Sequence, residues 1–418
     1  MNCRFCKHPL HNKFVDLVSS PPSNSFLTSE QLNEPEPYFP LTIYACTNCY
    51  LVQVDEYKKA EEIFNSDYVY FSSYSKSWVD HARRYVEEMI DRFGFDENSY
   101  VIEIASNDGY LLQHFKAHHV PVLGIEPTKN TANAAILKGI PTITEYFGSE
   151  FARKLSRQKK KGNLLIGNNV LAHVPDIDDF VEGLKVALRR YGVITLEFPH
   201  LLRLVEECQF DTIYHEHFSY LSFTTVKKIF EAHALEMFDV QELPTHGGSL
   251  RIFAKHKKDK SKPISDNVQA LLDKEEAAGL TTPDFYRNFQ ERVDTIKYGL
   301  LNFLIEQKLL GKKVIGYGAA AKGNTMLNYA GIKGNDLIHF VLDAAPSKQG
   351  KYLPGSHIPV YDESKIWEYQ PDYILILPWN LKEEVMAQLS YVSAWGCRFV
   401  TCIPTTQIHD YKPESATV

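Results

Sequence analysis

Two clusters of residues in this chain have the types and spacing for chemistry. The first is sulfur: Cys3-Arg4-Phe5-Cys6 and Cys46-Thr47-Asn48-Cys49 are two C-x-x-C knuckles that hold four of the seven cysteines. In a reducing compartment such pairs offer four soft thiolates to one tetrahedral Zn²⁺. A closed Cys₄ shell leaves no position for substrate, so a metal held by Cys3, Cys6, Cys46 and Cys49 is expected to be structural. The second cluster is Tyr214-His215-Glu216-His217, which brings two imidazoles, a carboxylate and a phenol into four positions. Such groups can exchange protons near neutral pH. If the stretch is extended, alternation puts Tyr214 and Glu216 on one side and His215 and His217 on the other, unless a turn breaks the rule. It is not H-E-x-x-H, whose histidines need helical spacing to share a zinc ion. A polar packing network is the blander reading of the same residues.

These groups need a frame, and the hydrophobic periodicity supplies one. Trp78, Ala82, Tyr85, Val86, Met89, Ile90 and Phe93 recur at helical spacing, with Gly94 where a C-terminal cap belongs. A short apolar strand over 100–105 follows, then the turn Ser106-Asn107-Asp108-Gly109 and a helix over 110–119. Strand 120–126, helix 130–138, strand 163–168, a helix after Pro175 and strand 192–198 continue the rhythm. Strand and helix in alternation predict a parallel, doubly wound α/β sheet. The charged stretch 255–262 reads as a loop or hinge. Beyond it a helical connector leads to strands at 312–318, 338–343, 372–377 and 398–401, a second Rossmann-like unit. The expected organisation is therefore a zinc-binding domain over 1–65, an α/β domain over 66–255 and a smaller α/β domain over 256–418.

Composition narrows the partners. Among 418 residues, 45 Lys and Arg against 52 Asp and Glu give a net charge of −7, which disfavours indiscriminate binding to nucleic acid or anionic membrane. No basic leader precedes an apolar run at the N-terminus, and no stretch has the ~18 apolar residues of a membrane span, so a soluble cytoplasmic protein is expected.

In a doubly wound sheet the ligand lies beyond the carboxyl ends of the strands, near a switch point. The first loop has one glycine, not the G-x-G-x-x-G series that admits a pyrophosphate, so a dinucleotide is disfavoured. An adenosyl group without phosphate, its ribose held by an acid such as Glu126 at the end of the second strand, fits better. The Glu-x-x-x-Asn-Asp-Gly turn, that acid and the Asn168 to Val174 segment resemble a class I methyltransferase using S-adenosylmethionine (SAM). The resemblance implies that Glu103, Ala105, Asn107 and Gly109 face the methionine half, Glu126 the ribose, and Asn168 the region of the sulfonium.

The resemblance is more specific when the knuckles, the Tyr68-Val69-Tyr70-Phe71-Ser72-Ser73 stretch, the Tyr214 to Tyr220 segment and the late Gly316 to Asn324 segment are taken in order. That order resembles the SAM-dependent nucleotide-sugar C-3′-methyltransferases of branched deoxysugar biosynthesis and spans nearly the whole chain. It implies methylation at C3 of a 4-keto-6-deoxyhexose linked to dTDP or GDP, by a probable monomer. Methylating carbon requires a carbanion, and a sugar C–H becomes acidic only beside a ketone, so a base and donors to an enolate oxygen are needed. The resemblance makes His217 the base and Tyr214 and Glu216 its partners. His173 and Tyr68 then bind or polarise sugar oxygens, with Tyr70, His246, Arg251, Lys322 and Asn324 as further substrate contacts. Lone histidines such as His81 and His233 read as helix-surface residues. Gly316-x-Gly318 with Lys322-Gly323 is by itself a weak dinucleotide signal. An NAD-dependent sugar oxidoreductase and a zinc-stabilised binding protein are the alternative functions.

Overall fold

The computed structural model describes residues 1–57, 71–334 and 336–411. The chain forms two compact units that are not consecutive in sequence. The first gathers Met1–Asn12, Tyr44–Leu202 and Glu216–Phe285, and the second Lys13–Ile43, Arg203–His215 and Tyr286–Val418. Both cysteine knuckles therefore belong to the first unit, while the segment between them belongs to the second. The charged stretch expected as a loop or hinge is a loop over 257–262, beginning at the end of a strand, and the first unit continues past it. Lys255 lies within a strand and is 2% exposed. Its ammonium donates to the Asp259 carbonyl at 2.9 Å and pairs with Glu236 at 3.2 Å. Long-range contacts, which charge patterning does not report, carry the first unit on to Phe285.

The first unit is built on a seven-stranded sheet: β1 Val101–Ile104, β2 Val122–Ile125, β3 Thr142–Ile143, β4 Gly162–Asn168, β5 Leu188–Pro199, β6 Leu235–Leu243 and β7 Ser249–His256. Its order is β6-β7-β5-β4-β1-β2-β3. Strands β1 to β5 pair in parallel, and β7 joins β5 and β6 antiparallel. Both faces are apolar, as a sheet covered on both sides must be. Ile102, Ile104 and Leu165 pack on one face, and Val101, Leu164 and Ile166 on the other. The helix Lys76–Phe93 starts at Ser75, whose hydroxyl accepts from the Trp78 N–H, and ends at Gly94 with φ 67°. It buries Ala82, Tyr85, Val86 and Met89 against the sheet, as its periodicity predicts. Because β1 lies between β2 and β4, the switch point falls at its carboxyl end.

The second unit has its own sheet: β8 Val314–Tyr317, β9 Val341–Leu342, β10 Val360–Tyr361, β11 Tyr373–Ile376, β12 Arg398–Thr401 and β13 Gln407–His409. The order is β10-β9-β8-β11-β12-β13, parallel except for the last strand. Ile315, Leu342, Ile374, Ile376 and Phe399 form its core. Within the same unit Phe14, from the strand Lys13–Ser20, stacks on Phe289 with ring centroids 4.4 Å apart. Among the described residues no helix is long and apolar enough to cross a membrane.

Candidate active site and metal centre

The two knuckles fold alike. In each, the first cysteine's carbonyl accepts from the N–H four residues on, Lys7 to Cys3 and Tyr50 to Cys46, both at 3.0 Å. Lys7 and Tyr50 turn the chain back with φ of 59° and 69°. The four sulfurs of Cys3, Cys6, Cys46 and Cys49 all lie within 4.8 Å of one another, with Cys3–Cys49 and Cys6–Cys46 at 3.5 Å. Four thiolates about 2.3 Å from one tetrahedral zinc ion would stand about 3.8 Å apart, so the donors fit that ion. Gln53 donates to the Cys3 sulfur at 3.2 Å and accepts the Arg4 N–H at 2.8 Å, tying one knuckle to the strand beyond the other.

At the switch point the loop after β1 turns through Ala105 and Asn107, with φ of 55° and 49°, and Gly109 at 76°. A side chain at Gly109 would meet Ile140 at 3.0 Å, so glycine serves both conformation and space. Glu126, following β2, braces this loop: one oxygen accepts the Asn107 N–H at 2.8 Å, the other the Thr128 N–H at 2.9 Å. The Asn107 side chain accepts from the Ser72 N–H at 2.9 Å, and Ser73 donates to Asp108. Lys138 pairs with Asp108 at 3.1 Å.

Several buried polar atoms here are left over. Among the described residues, Glu103 Oε2, Ser106 Oγ, Asp108 Oδ1 and both amide atoms of Asn168 have no hydrogen-bond partner. Burial, reinforced by Glu126 and Asp108, pushes the Glu103 carboxyl well above the usual carboxylate range. Burial also raises Glu126, against the donors on its oxygens. Unsatisfied buried groups are costly, so their concentration at one strand edge marks a ligand site. Acceptors beside amide groups suit the ammonium, carboxylate and hydroxyls of SAM. The structure brings Glu103, Ala105, Asn107, Gly109, Glu126 and Asn168 to this one edge.

Beside it lies a network that the sequence did not disclose. Asn168, Glu197 and Arg251 are register neighbours on β4, β5 and β7. Arg251 donates to Glu197 at 2.8 Å through Nε, and through Nη1 to Glu88 and Gln241 at 3.0 Å. His81 reaches both Glu197 oxygens at 3.0 and 2.9 Å. Burial opposes ionisation of Glu197, but His81 and Arg251 hold it below the usual range. Arg251, expected as a substrate contact, is thus committed to a buried ion pair. His81, expected on a helix surface, faces inward. Both follow from tertiary neighbours more than 100 positions away in sequence from His81.

The 214–217 stretch is a bend and turn, so strict alternation fails. Tyr214 and His215 belong to the second unit, Glu216 and His217 to the first. In the second unit the His215 Nε2 lies 3.2 and 3.1 Å from the carbonyls of Phe39 and Pro40, and burial lowers its basicity. In the first unit the His217 ring sits 4.6 Å from that of His173. His173 Nδ1 lies 2.8 Å from the Glu216 carbonyl, so Nδ1 carries the proton and Nε2 the lone pair. Burial pushes His173 down to about 4, against the opposing pull of that carbonyl. His246 Nε2 lies 3.1 Å from the Asn169 side-chain nitrogen. Tyr68 and Tyr70 lie outside the described residues.

In the second unit Lys322 donates to Asn380 at 3.0 Å and covers the Trp379 ring at 4.9 Å. Asn324 donates to the Ser23 carbonyl at 2.7 Å. In the loop after β8, Gly318 has φ 84° and a side chain there would meet Pro378 at 2.5 Å, so glycine is required. Sequence reasoning missed Ser72, Ser73, Asn169, His81 and Glu197. Only the two serines and Asn169, which lie within the Tyr68 to Ser73 and Asn168 to Val174 segments, carried a local signal.

A family profile described as a methyltransferase domain matches residues 78–240, a zinc binding domain matches 3–64, and a C-methyltransferase C-terminal domain matches 244–404. The C-methyltransferase NovU of Streptomyces niveus is 32% identical over 406 residues, covering 97% of this chain and 96% of that protein. Among solved structures, the PH0226 protein of Pyrococcus horikoshii OT3 is similar at 13% identity and a TM-score of 0.37, over 45% of this chain and 95% of that one. A magnesium protoporphyrin IX methyltransferase of Synechocystis PCC 6803 with bound SAM shares 15% identity at a TM-score of 0.31, over 43% of this chain and 77% of that one.

Proposed function

Because this chain belongs to the C-methyltransferase family and is a SAM-dependent enzyme, we propose that it methylates C3 of a nucleotide-linked 4-keto-6-deoxy sugar, in the making of a branched sugar. The observation that carries the reading is the His173–His217 pair. A carbon nucleophile has to be made by removing a proton, and His217, set beside a His173 that burial keeps neutral, is the imidazole proposed to take it up.

When bound, SAM supplies an electrophilic methyl group on a good thioether leaving group. Glu103, Asn107 and Asn168 are the residues that would hold its methionine half, and Glu126 its ribose. His217 takes the C3 proton, and the electron pair left behind delocalises into the C4 carbonyl as an enolate. Its neighbour His173, pushed down to about 4, is neutral near pH 7. The protonated His217 therefore meets no second cation beside it. Glu216 is the further group proposed to orient the base. The nucleotide, dTDP or GDP, is not assigned.

His217→Asn keeps the size and part of the hydrogen bonding but cannot accept the proton. Turnover should fall by roughly 10²–10⁴ with both ligands still bound. Exchange of the C3 hydrogen with D₂O, followed with an unreactive SAM analogue, isolates the step. Exchange at the wild-type rate in His217→Asn would remove His217 as the base. Mass spectrometry over a panel of 4-keto sugars, seeking the gain of one CH₂, tests the acceptor; methylation at oxygen or nitrogen instead would sink the reading.

A further inference from the structure

The carboxyl edge of the first sheet is a place of backbone strain. Asn169, just after β4, and His246, just before β7, have φ of 54° and 55°. A β-carbon disfavours this region, and although Asn and His enter it more readily than most residues, neighbouring contacts select it. These two come from segments 77 positions apart, and they meet, Asn169 Nδ2 to His246 Nε2 at 3.1 Å. Each is held from behind as well. The Asn169 N–H donates to the Glu197 carbonyl at 2.8 Å. The His246 ring lies 5.1 Å from Trp78, whose ring stacks on His81 at 4.9 Å, and His81 is bound to Glu197.

The turn below His246 is fixed too. Gly247 and Gly248 follow at φ 88° and 112°, the Gly248 N–H donates to Thr245 O at 2.9 Å, and the Gly248 carbonyl accepts from the His200 N–H at 3.0 Å. Directly before Asn169 stands Asn168, whose two buried amide atoms have no partner among the described residues. Asn169 is where the chain leaves β4, so its conformation fixes how the segment after the strand runs past Asn168.

We propose that His246 is a positioning residue for the cofactor loop: by holding Asn169 in its left-handed conformation it keeps the amide of Asn168 available to SAM. This rests on the reading that SAM binds at the edge of β1 and β4. It gives His246 a role through Asn169, distinct from contact with the sugar. It also gives the aromatic pair Trp78 and His81 a purpose, as the wall against which His246 is set.

The test is a double-mutant cycle read by calorimetric SAM affinity and by apo-protein melting temperature. His246→Ala and Asn169→Gly should each weaken SAM binding roughly five- to tenfold, the size of one neutral hydrogen bond. The double variant should be no weaker than either single one, because both remove the same contact. His246→Gln, which keeps an acceptor, should recover part of the affinity. Asn169→Gly should not lower the melting temperature through backbone strain, since glycine accepts the left-handed region freely. Wild-type SAM affinity in His246→Ala, or losses that add in the double variant, would overturn the proposal. If His246→Ala does not fold, Asn169→Gly decides alone, and unchanged affinity there overturns it. Absence of SAM binding by the wild-type protein would instead overturn the cofactor reading on which the proposal stands.

Discussion

After β1 the N–H of Asn107 donates to Glu126, the acid that follows β2, at 2.8 Å. After β8 the N–H of Ala319 donates to Asp343, the acid that follows β9, at 2.7 Å. In both sheets the first strand lies between the second and a later one, so both loops sit at a switch point. They diverge in what surrounds the acid. Asp343 also accepts the Ala345 N–H at 2.8 Å and pairs with Lys348 at 3.2 Å. Around Glu126 the neighbouring Glu103, Ser106 and Asn168 keep polar atoms unpaired. The lesson is that a strand, glycine turn and acid make a frame for a ligand, and the polar groups around the acid distinguish one frame from the other. Both acids brace their loops; beside the first stand a carboxyl oxygen of Glu103 and the amide of Asn168, and near the second the leftover atoms are Asn324 Oδ1 and Ser347 Oγ.

The largest effect that should separate the two units is metal loss. All four thiolates belong to the first unit, and structural zinc sites in small domains contribute on the order of 10 kcal/mol to folding. Cys46→Ser, or chelation, should therefore expose amides of residues 1–12 and 44–54 to hydrogen exchange while the sheet of the second unit keeps its protection. Zinc-free protein with unchanged exchange would break the contrast.

Next in size is the pair Glu126→Ala and Asp343→Ala. The first should weaken SAM binding by roughly 10- to 150-fold, the worth of a charged hydrogen-bond partner. The second should leave SAM affinity alone and lower stability by about 1–3 kcal/mol, since it strips an acceptor from two N–H groups and an ammonium. Calorimetry and denaturant melts read both. Equal losses of SAM affinity would show the loops to be interchangeable.

The smallest effect concerns Glu103. Burial raises its folded-state pKa above the unfolded value. The native protein thus binds a proton that the unfolded chain has released, and stability is lost as pH rises from about 4.5 toward the folded pKa, at up to about 1.36 kcal/mol per pH unit. Glu103→Gln should melt higher than wild type at pH 8, and the difference should shrink toward pH 4.5. A variant that melts lower at pH 8 would mean that the buried carboxyl is paired.

Much of this molecule could be read along the chain. The two knuckles are local turns of identical design, so their sulfur spacing and metal chemistry travel with four residues each. The helix Lys76–Phe93, capped by Ser75 and Gly94, and the β1 strand with its Glu103 to Gly109 turn are likewise local, because periodicity and caps act within a few residues. What the chain alone did not disclose depends on groups far apart in sequence. That residues 13–43 and 203–215 pack with the C-terminal sheet was not legible, because those contacts join segments far apart in the chain. His81 turned inward because Glu197 waits 116 positions away, and Arg251 became a brace because Glu197 and Glu88 claim its nitrogens. The 214–217 stretch left its alternating pattern for a turn, so only the tertiary structure decided which imidazole stands beside His173. Residue type sets what a group can do, but burial and partners set its charge and direction, and those are properties of the packed molecule.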